Sequence, residues 1–169
     1  MNKILLVTLS VMLFSALFAG SASRATAKEP KMLEFDTMLG VPSTLTGGQA
    51  TAAFRGIPAG GLPWTLTSAR GELKTSGVLE VEVQGLVFAA GPNIGRNTVT
   101  SFRAIVSCIQ GNGTPHNIMT DPFPATTGLA SEGGGNAKIE TQVSLPEDCF
   151  APVIFVTSPT GNWFAVTGN

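Results

Sequence analysis

The sequence predicts an all-β protein: an antiparallel β-sandwich of about 8 strands behind a signal-peptide helix, with a small β-barrel as the alternative. Three observations predict it. Runs of alternating apolar and polar residues recur at roughly 10–15-residue spacing, Gly and Pro turns separate them, and nothing after the amino-terminal apolar run has a helical period. Charged residues make up 12% of the chain beside 20 Gly, 11 Pro and no Tyr, which suits short strands and tight turns.

The amino terminus reads as a targeting segment. Lys3 gives a short basic start, Ile4–Ala19 is a 16-residue apolar run, and small residues follow. Cleavage after Ala27 is favoured over cleavage after Ala22. The run is shorter than the ~20 residues of a spanning helix, and Thr8, Ser10 and Ser15 dilute it. The expected organisation is therefore a secretory signal peptide over 1–27 and one domain over 28–169. The mature chain is expected to lack a transmembrane segment and to be secreted, periplasmic or at the cell surface. It carries 8 basic and 11 acidic residues, a net charge of −3, without a basic run. That excludes the electrostatic footprint of a nucleic-acid binder.

Along the mature chain, Lys28–Gly40 is mixed: Leu33, Phe35, Thr37 and Leu39 alternate as in a strand, the favoured reading, while Met32, Phe35 and Leu39 also fit one helical face. Gly47-Gly48 turns, and Gln49–Phe54 is a short strand. Gly56–Pro63 is a loop by composition. Trp64–Ala69 alternates, Arg70-Gly71 marks a turn, and a short segment surrounds Leu73. In Val78–Phe88, Leu79, Val81 and Val83 share one face and Glu80, Glu82 and Gln84 the other, with Gly85 predicting a bend. Ser101–Ile109 is a strand with Phe102, Ala104, Val106 and Cys108 on one face. Gly111–His116 is a turn, and Thr120–Gly128, with two prolines, is an edge segment or extended loop. Glu132–Asn136 is flexible. Asn136–Leu145 alternates most cleanly. Cys149–Val156 is apolar on both phases, with Pro152 predicting a bulge or an edge, and Asn162–Thr167 is the last strand.

Cys108 and Cys149 are the only cysteines, and in an exported chain two cysteines form one disulfide. Free buried thiols are the bland alternative. No C-x-x-C spacing is present, so redox chemistry is not expected.

The segments GLPWTLTSARGELKTSGVLEVEVQGLV, FRAIVSCI, LPEDCFAPVIFVTSP and WFAVTG resemble those of small exported bacterial β-proteins known as hypothetical proteins. The resemblance covers about Gly60–Gly168. It implies export and a β fold, and no activity.

Candidate chemistry is sparse. His116 is the only histidine, and a Ser/His/Asp site would need it beside a nucleophile and an acid such as Asp121. No G-x-S-x-G elbow accompanies it, and a lone loop histidine is ordinarily solvated. One His and two paired cysteines do not supply a zinc site. Loop carboxylates at Asp121, Glu132, Glu147 and Asp148, with Asn136, are the weak candidate ligands for calcium, against ordinary turn chemistry. Glu80 and Glu82 share a strand face and read as solvated, not as a glycosidase pair. Trp64 and Trp163 each follow a turn; they either stack on a sugar or partner, or cap the core, which is the commoner role. Asn112-Gly113-Thr114 is a glycan-acceptor pattern in organisms with that machinery.

These readings lead to an exported non-enzymatic module with a binding, adhesion or structural role. Its partner is a surface polymer, a carbohydrate or a protein. A small secreted hydrolase or carbohydrate-active enzyme and a calcium-dependent module are the alternatives. No cofactor other than calcium is expected.

Overall fold

A computed structural model describes residues 28–46 and 53–168. The expected signal peptide over 1–27, the expected Gly47-Gly48 turn and most of the expected Gln49–Phe54 strand lie outside the described residues. Nine strands build two sheets: β1 (Lys31–Phe35), β2 (Met38–Gly40), β3 (Ser68–Lys74), β4 (Val78–Gln84), β5 (Ser101–Ile109), β6 (Pro115–Met119), β7 (Ala137–Gln142), β8 (Phe150–Thr157) and β9 (Trp163–Thr167). Sheet 1 runs β1-β3-β4-β7 and sheet 2 runs β6-β5-β8-β9-β2, every pair antiparallel. Two 3-10 turns, Ser43–Leu45 and Ala130–Glu132, are the helical content among the described residues. The fold is all-β and sandwich-like. No sheet closes into a barrel.

The chain bridges both open sides of the sandwich. β1 ends in sheet 1, and after Asp36-Thr37 β2 begins in sheet 2. Opposite, Phe123–Pro124 pairs with the start of β5, and Ala125 bridges to Ala137 of β7. The alternation read in the sequence fills the space between the sheets. Leu73, Leu79, Val81, Val83 and Ile139 from sheet 1 meet Phe102, Ala104, Val106 and Ile154 from sheet 2, all essentially inaccessible to water. Such burial is worth roughly 1.5–3 kcal/mol for each large side chain.

β5 is buried on both faces. Its outer residues Ile105 and Ser107 lie beneath a short hairpin in which Ala53–Phe54 pairs with Ile57–Pro58. The Phe54 ring meets Phe155 edge-on at 5.5 Å. Arg55 Nη1 donates to the Ser107 carbonyl at 2.8 Å, and Asn117 Nδ2 donates to the Arg55 carbonyl at 2.9 Å. Both turn residues are left-handed, Arg55 at φ 52° and Gly56 at φ 79°, as a tight two-residue hairpin requires.

Cys108 and Cys149 form the expected disulfide, closing a span of 41 residues with Cα atoms 4.7 Å apart. Beside it, Ile109 faces Phe150 and Ser107 faces Val153, so Ala151 and Pro152 together oppose Cys108. This is the bulge that Pro152 predicted, and Ala151 sits in it at φ 43°.

Four local expectations are corrected. Gly56–Pro63 is not loop throughout, because Ile57–Pro58 pairs with Ala53–Phe54. Arg70-Gly71 is mid-strand rather than a turn; the glycine makes room for Phe35, whose Cζ would lie 2.6 Å from a Cβ at position 71. The turn after β5 is shorter than Gly111–His116: Gln110 and Thr114 close it, and Pro115–Met119 is a strand. Glu132–Asn136 is not a loose segment, because Gly134 and Gly135 are buried against the Gly128 carbonyl and Leu86 backbone.

The disulfide is expected to stabilise by about 4 kcal/mol through the chain entropy it removes from the unfolded state. Equilibrium urea unfolding of Cys108→Ser/Cys149→Ser should show a loss of that order; an unchanged midpoint would contradict the stapled architecture. Gly135→Ala should cost about 2 kcal/mol or more, because Gly135 sits at φ 78° with Leu86 in contact. A tolerated alanine there would restore the flexible reading.

Candidate functional site

The outer face of sheet 1 carries a large share of the charged residues described. Strand alternation puts Arg70, Glu72 and Lys74 of β3, Glu80 and Glu82 of β4, and Lys138 and Glu140 of β7 on one side. Register then aligns them. Glu34 faces Glu72, Glu72 faces Glu80, and Glu80 faces Glu140, so four glutamates form one row across four strands. At ~4.8 Å per strand the row is roughly 14 Å long. The adjacent row is Arg70, Glu82 and Lys138, cation, anion, cation. A groove of about 650 Å³ crosses both rows, open to solvent and floored by Gly71 and Val81, with Phe35 and Asp36 at its β1 end.

Like charges facing each other across strands are destabilising. Here lysines and an arginine offset them. Lys31 Nζ lies between Glu34 and Glu72, and Lys74 reaches the other Glu72 oxygen at 3.3 Å. Arg70 donates twice to Glu82 Oε2, at 3.0 and 2.6 Å, while Gln84 Nε2 donates to Oε1. Lys138 pairs with Glu140 at 2.6 Å. Glu80 has no cation within 4.0 Å among the described residues. Hydrogen bonds from Lys31, and then from Lys74, hold the Glu72 carboxyl below its ordinary range, and Arg70 with Gln84 does the same to Glu82. Glu34 and Glu72 raise Lys31, and Glu140 raises Lys138. These carboxylates stay ionised at neutral pH and cannot act as general acids there. The face offers ionic and hydrogen-bonding groups at strand spacing, suited to an extended, polyvalent ligand.

The sequence candidates do not gather around this groove. Trp64 stacks on Phe164 at 3.9 Å between centroids and contacts Phe88 at 4.2 Å, and Trp163 meets Phe155 edge-on at 6.1 Å. Both tryptophans are 3% exposed or less. Their rings belong to the core, the commoner of the two expected roles, and present no face to a sugar. His116 is exposed on edge strand β6, opposite Cys108. Asp121 lies two residues past the end of that strand and five beyond His116, at most on the order of 15 Å along the chain. Glu132 lies in an exposed 3-10 turn, and Glu147 and Asp148 are exposed just before Cys149. Asn136 Oδ1 accepts the Gly85 N–H at 2.9 Å, holding the bend after β4. Among the described residues no three His, Cys, Asp or Glu side chains come close enough to hold a metal ion.

Sequence reasoning missed the glutamate row because its members come from strands far apart in the chain. One signal was available. The β3–β4 hairpin register about the Lys74–Gly77 turn pairs Arg70 with Glu82 and Glu72 with Glu80.

Comparison with family models, curated proteins and solved structures finds no match for the chain.

The pKa directions set the pH profile. Glu72 and Glu82 have folded values below the ordinary 4.5, so their pairs stabilise fully above that value and lose their effect as pH falls through the lowered folded value. Lys31 and Lys138 lie above 10.5, so their contribution is lost only as pH rises beyond it. The melting temperature should be level from about pH 6 to 9 and fall below about pH 4. Glu72→Gln/Glu82→Gln should flatten the acid limb, and an acid limb of unchanged steepness would assign it to other carboxyls.

Proposed function

We propose that the chain is an exported, non-enzymatic β-sandwich serving as a binding or structural module at the cell surface or outside the cell. One observation carries the reading. The groove on sheet 1 is an open, largely ion-paired sheet face whose Glu72 and Glu82 carboxylates are held ionised by their cation partners, an arrangement suited to contact along an extended partner. The disulfide fits an oxidising compartment, and among the described residues no helix is long and apolar enough to cross a membrane. A surface polymer with cationic and hydroxyl groups is the partner this face fits best. The exposed position of His116 on an edge strand favours this reading over a hydrolase.

The test is a thermal-shift screen of oxidised Lys28–Asn169 against cationic and neutral wall polysaccharides, with calcium and chelator as separate arms. Binding of the folded state raises the midpoint by mass action, and Glu80→Gln/Glu82→Gln should abolish the shift. A shift that survives this double variant would move the site elsewhere. Turnover of a polysaccharide by the wild type would overturn the non-enzymatic reading.

A further inference from the structure

Three methionines fall within the described residues, and burial separates them. Met38 is buried, Met32 is half-buried against the core, and Met119 is 44% exposed at the end of edge strand β6. Register places Met119 opposite Ile105, so strand alternation puts its side chain on the outer face of sheet 2, diagonal to Arg103. Arg103 Nη1 donates to Met119 Sδ at 3.2 Å. The end of the side chain reaches the β8–β9 turn, where a Cβ at Gly161 would stand 2.9 Å from Met119 Cε.

Arg103 is short of acceptors. Its Nε is buried and has no hydrogen-bond partner among the described residues. Nor does any carboxylate described lie within 4.0 Å of the guanidinium, that of Asp121 just past β6 included. Nη1 gives its hydrogen to a thioether sulfur, one of the weakest acceptors a side chain offers. A half-buried cation therefore faces the one exposed methionine described, with donor capacity that the sulfur barely uses.

We propose that Met119 is a site of oxidation by peroxide, and that Arg103 takes up the oxygen it gains. A sulfur lone pair attacks one peroxide oxygen and the O–O bond breaks. The departing hydroxide then takes the proton left on the transferred oxygen, so the products are methionine sulfoxide and water. Sulfur loses an electron pair and the peroxide gains it. The sulfoxide oxygen is a strong acceptor, and rotation about the flexible terminal torsions sets it against the guanidinium in a charge-assisted bond. Oxidation ordinarily makes an apolar contact polar and loosens packing. Here it exchanges a weak N–H···S contact for a strong N–H···O one, and so fastens the β6 edge to β5. Methionine sulfoxide is a state that reductases reverse, which makes the fastening responsive to oxidants in both directions. Met119 and Arg103 belong to sheet 2, so the proposal is independent of the ligand reading of sheet 1 and stands if that reading fails.

The test uses disulfide-bonded Lys28–Asn169, the segment that holds every strand of both sheets. Hydrogen peroxide is titrated in near neutral pH, and peptide masses report which methionine gains oxygen. Met119 should be oxidised about tenfold faster than Met32 or Met38, following its exposure. Protein oxidised at Met119 alone should melt about 3 °C above the untreated protein. In Arg103→Gln, Met119 should still gain its oxygen while the rise disappears. A second comparison leaves Arg103 in place and needs no peroxide. Met119→Gln, whose amide carbonyl stands in for the sulfoxide oxygen, should melt above Met119→Leu, which keeps the apolar bulk without an acceptor. Oxidation of Met32 or Met38 as fast as Met119, a melting temperature that holds or falls on oxidation, or a rise that persists in Arg103→Gln overturns the proposal. If Arg103→Gln does not fold, a Met119→Gln protein that melts no higher than Met119→Leu overturns it instead.

Discussion

The pairing of β5 with β8 is the constraint on which the rest of the structure depends. β5 has neighbours on both edges and buried residues on both faces, so it fixes the sandwich from its centre outward. The disulfide ties one end of this pair, and the bulge at Ala151-Pro152 lets the two chains differ in length there. An apolar row, Leu39, Val166, Phe155, Ile105 and Met119, crosses all five strands of sheet 2 through this pair. Its centre is dry only because Phe54 and Arg55 close over it. Arg55 accepts a left-handed backbone in that turn, and burial lowers its pKa, while its guanidinium reaches the Ser107 carbonyl.

With the core held by sheet 2, sheet 1 is free to carry chemistry on its outer face. Its inner residues pack; its outer residues are mostly charged. The cross-strand glutamate row is tolerated because Lys31, Lys74, Arg70 and Lys138 bracket it. The charges of the hairpin end near its bend at Gly85, and Val83–Gly95 carries none.

Most of the architecture was legible because it rests on period-two alternation. Val78–Gln84 and Ala137–Gln142 show it plainly, and both are strands within the runs where alternation predicted them. The cysteine pair and the bulge at Pro152 were legible for local reasons, the absence of other cysteines and of a proline N–H. What escaped was set by distant contacts. Gly71 looks like a turn residue until Phe35 packs on it, and Gly134 and Gly135 look like a linker until Gly128 and Leu86 approach. The strand Pro115–Met119 has no alternation to announce it; the register of β5 imposes it. The candidate site was the least legible part, because pairing between strands, rather than any motif, aligns its residues. The tryptophans, conspicuous in the sequence, belong to the core.

Native-state hydrogen exchange tests the central claim most directly. Amides of Ala104–Val106 and Ile154–Val156 should be the slowest in the oxidised protein and exchange only on global unfolding. Reduction of the disulfide should lower their protection by the same free energy as it lowers global stability. Slowest exchange in sheet 1, or protection at these amides that reduction leaves unchanged, would contradict a fold organised around the stapled β5–β8 pair.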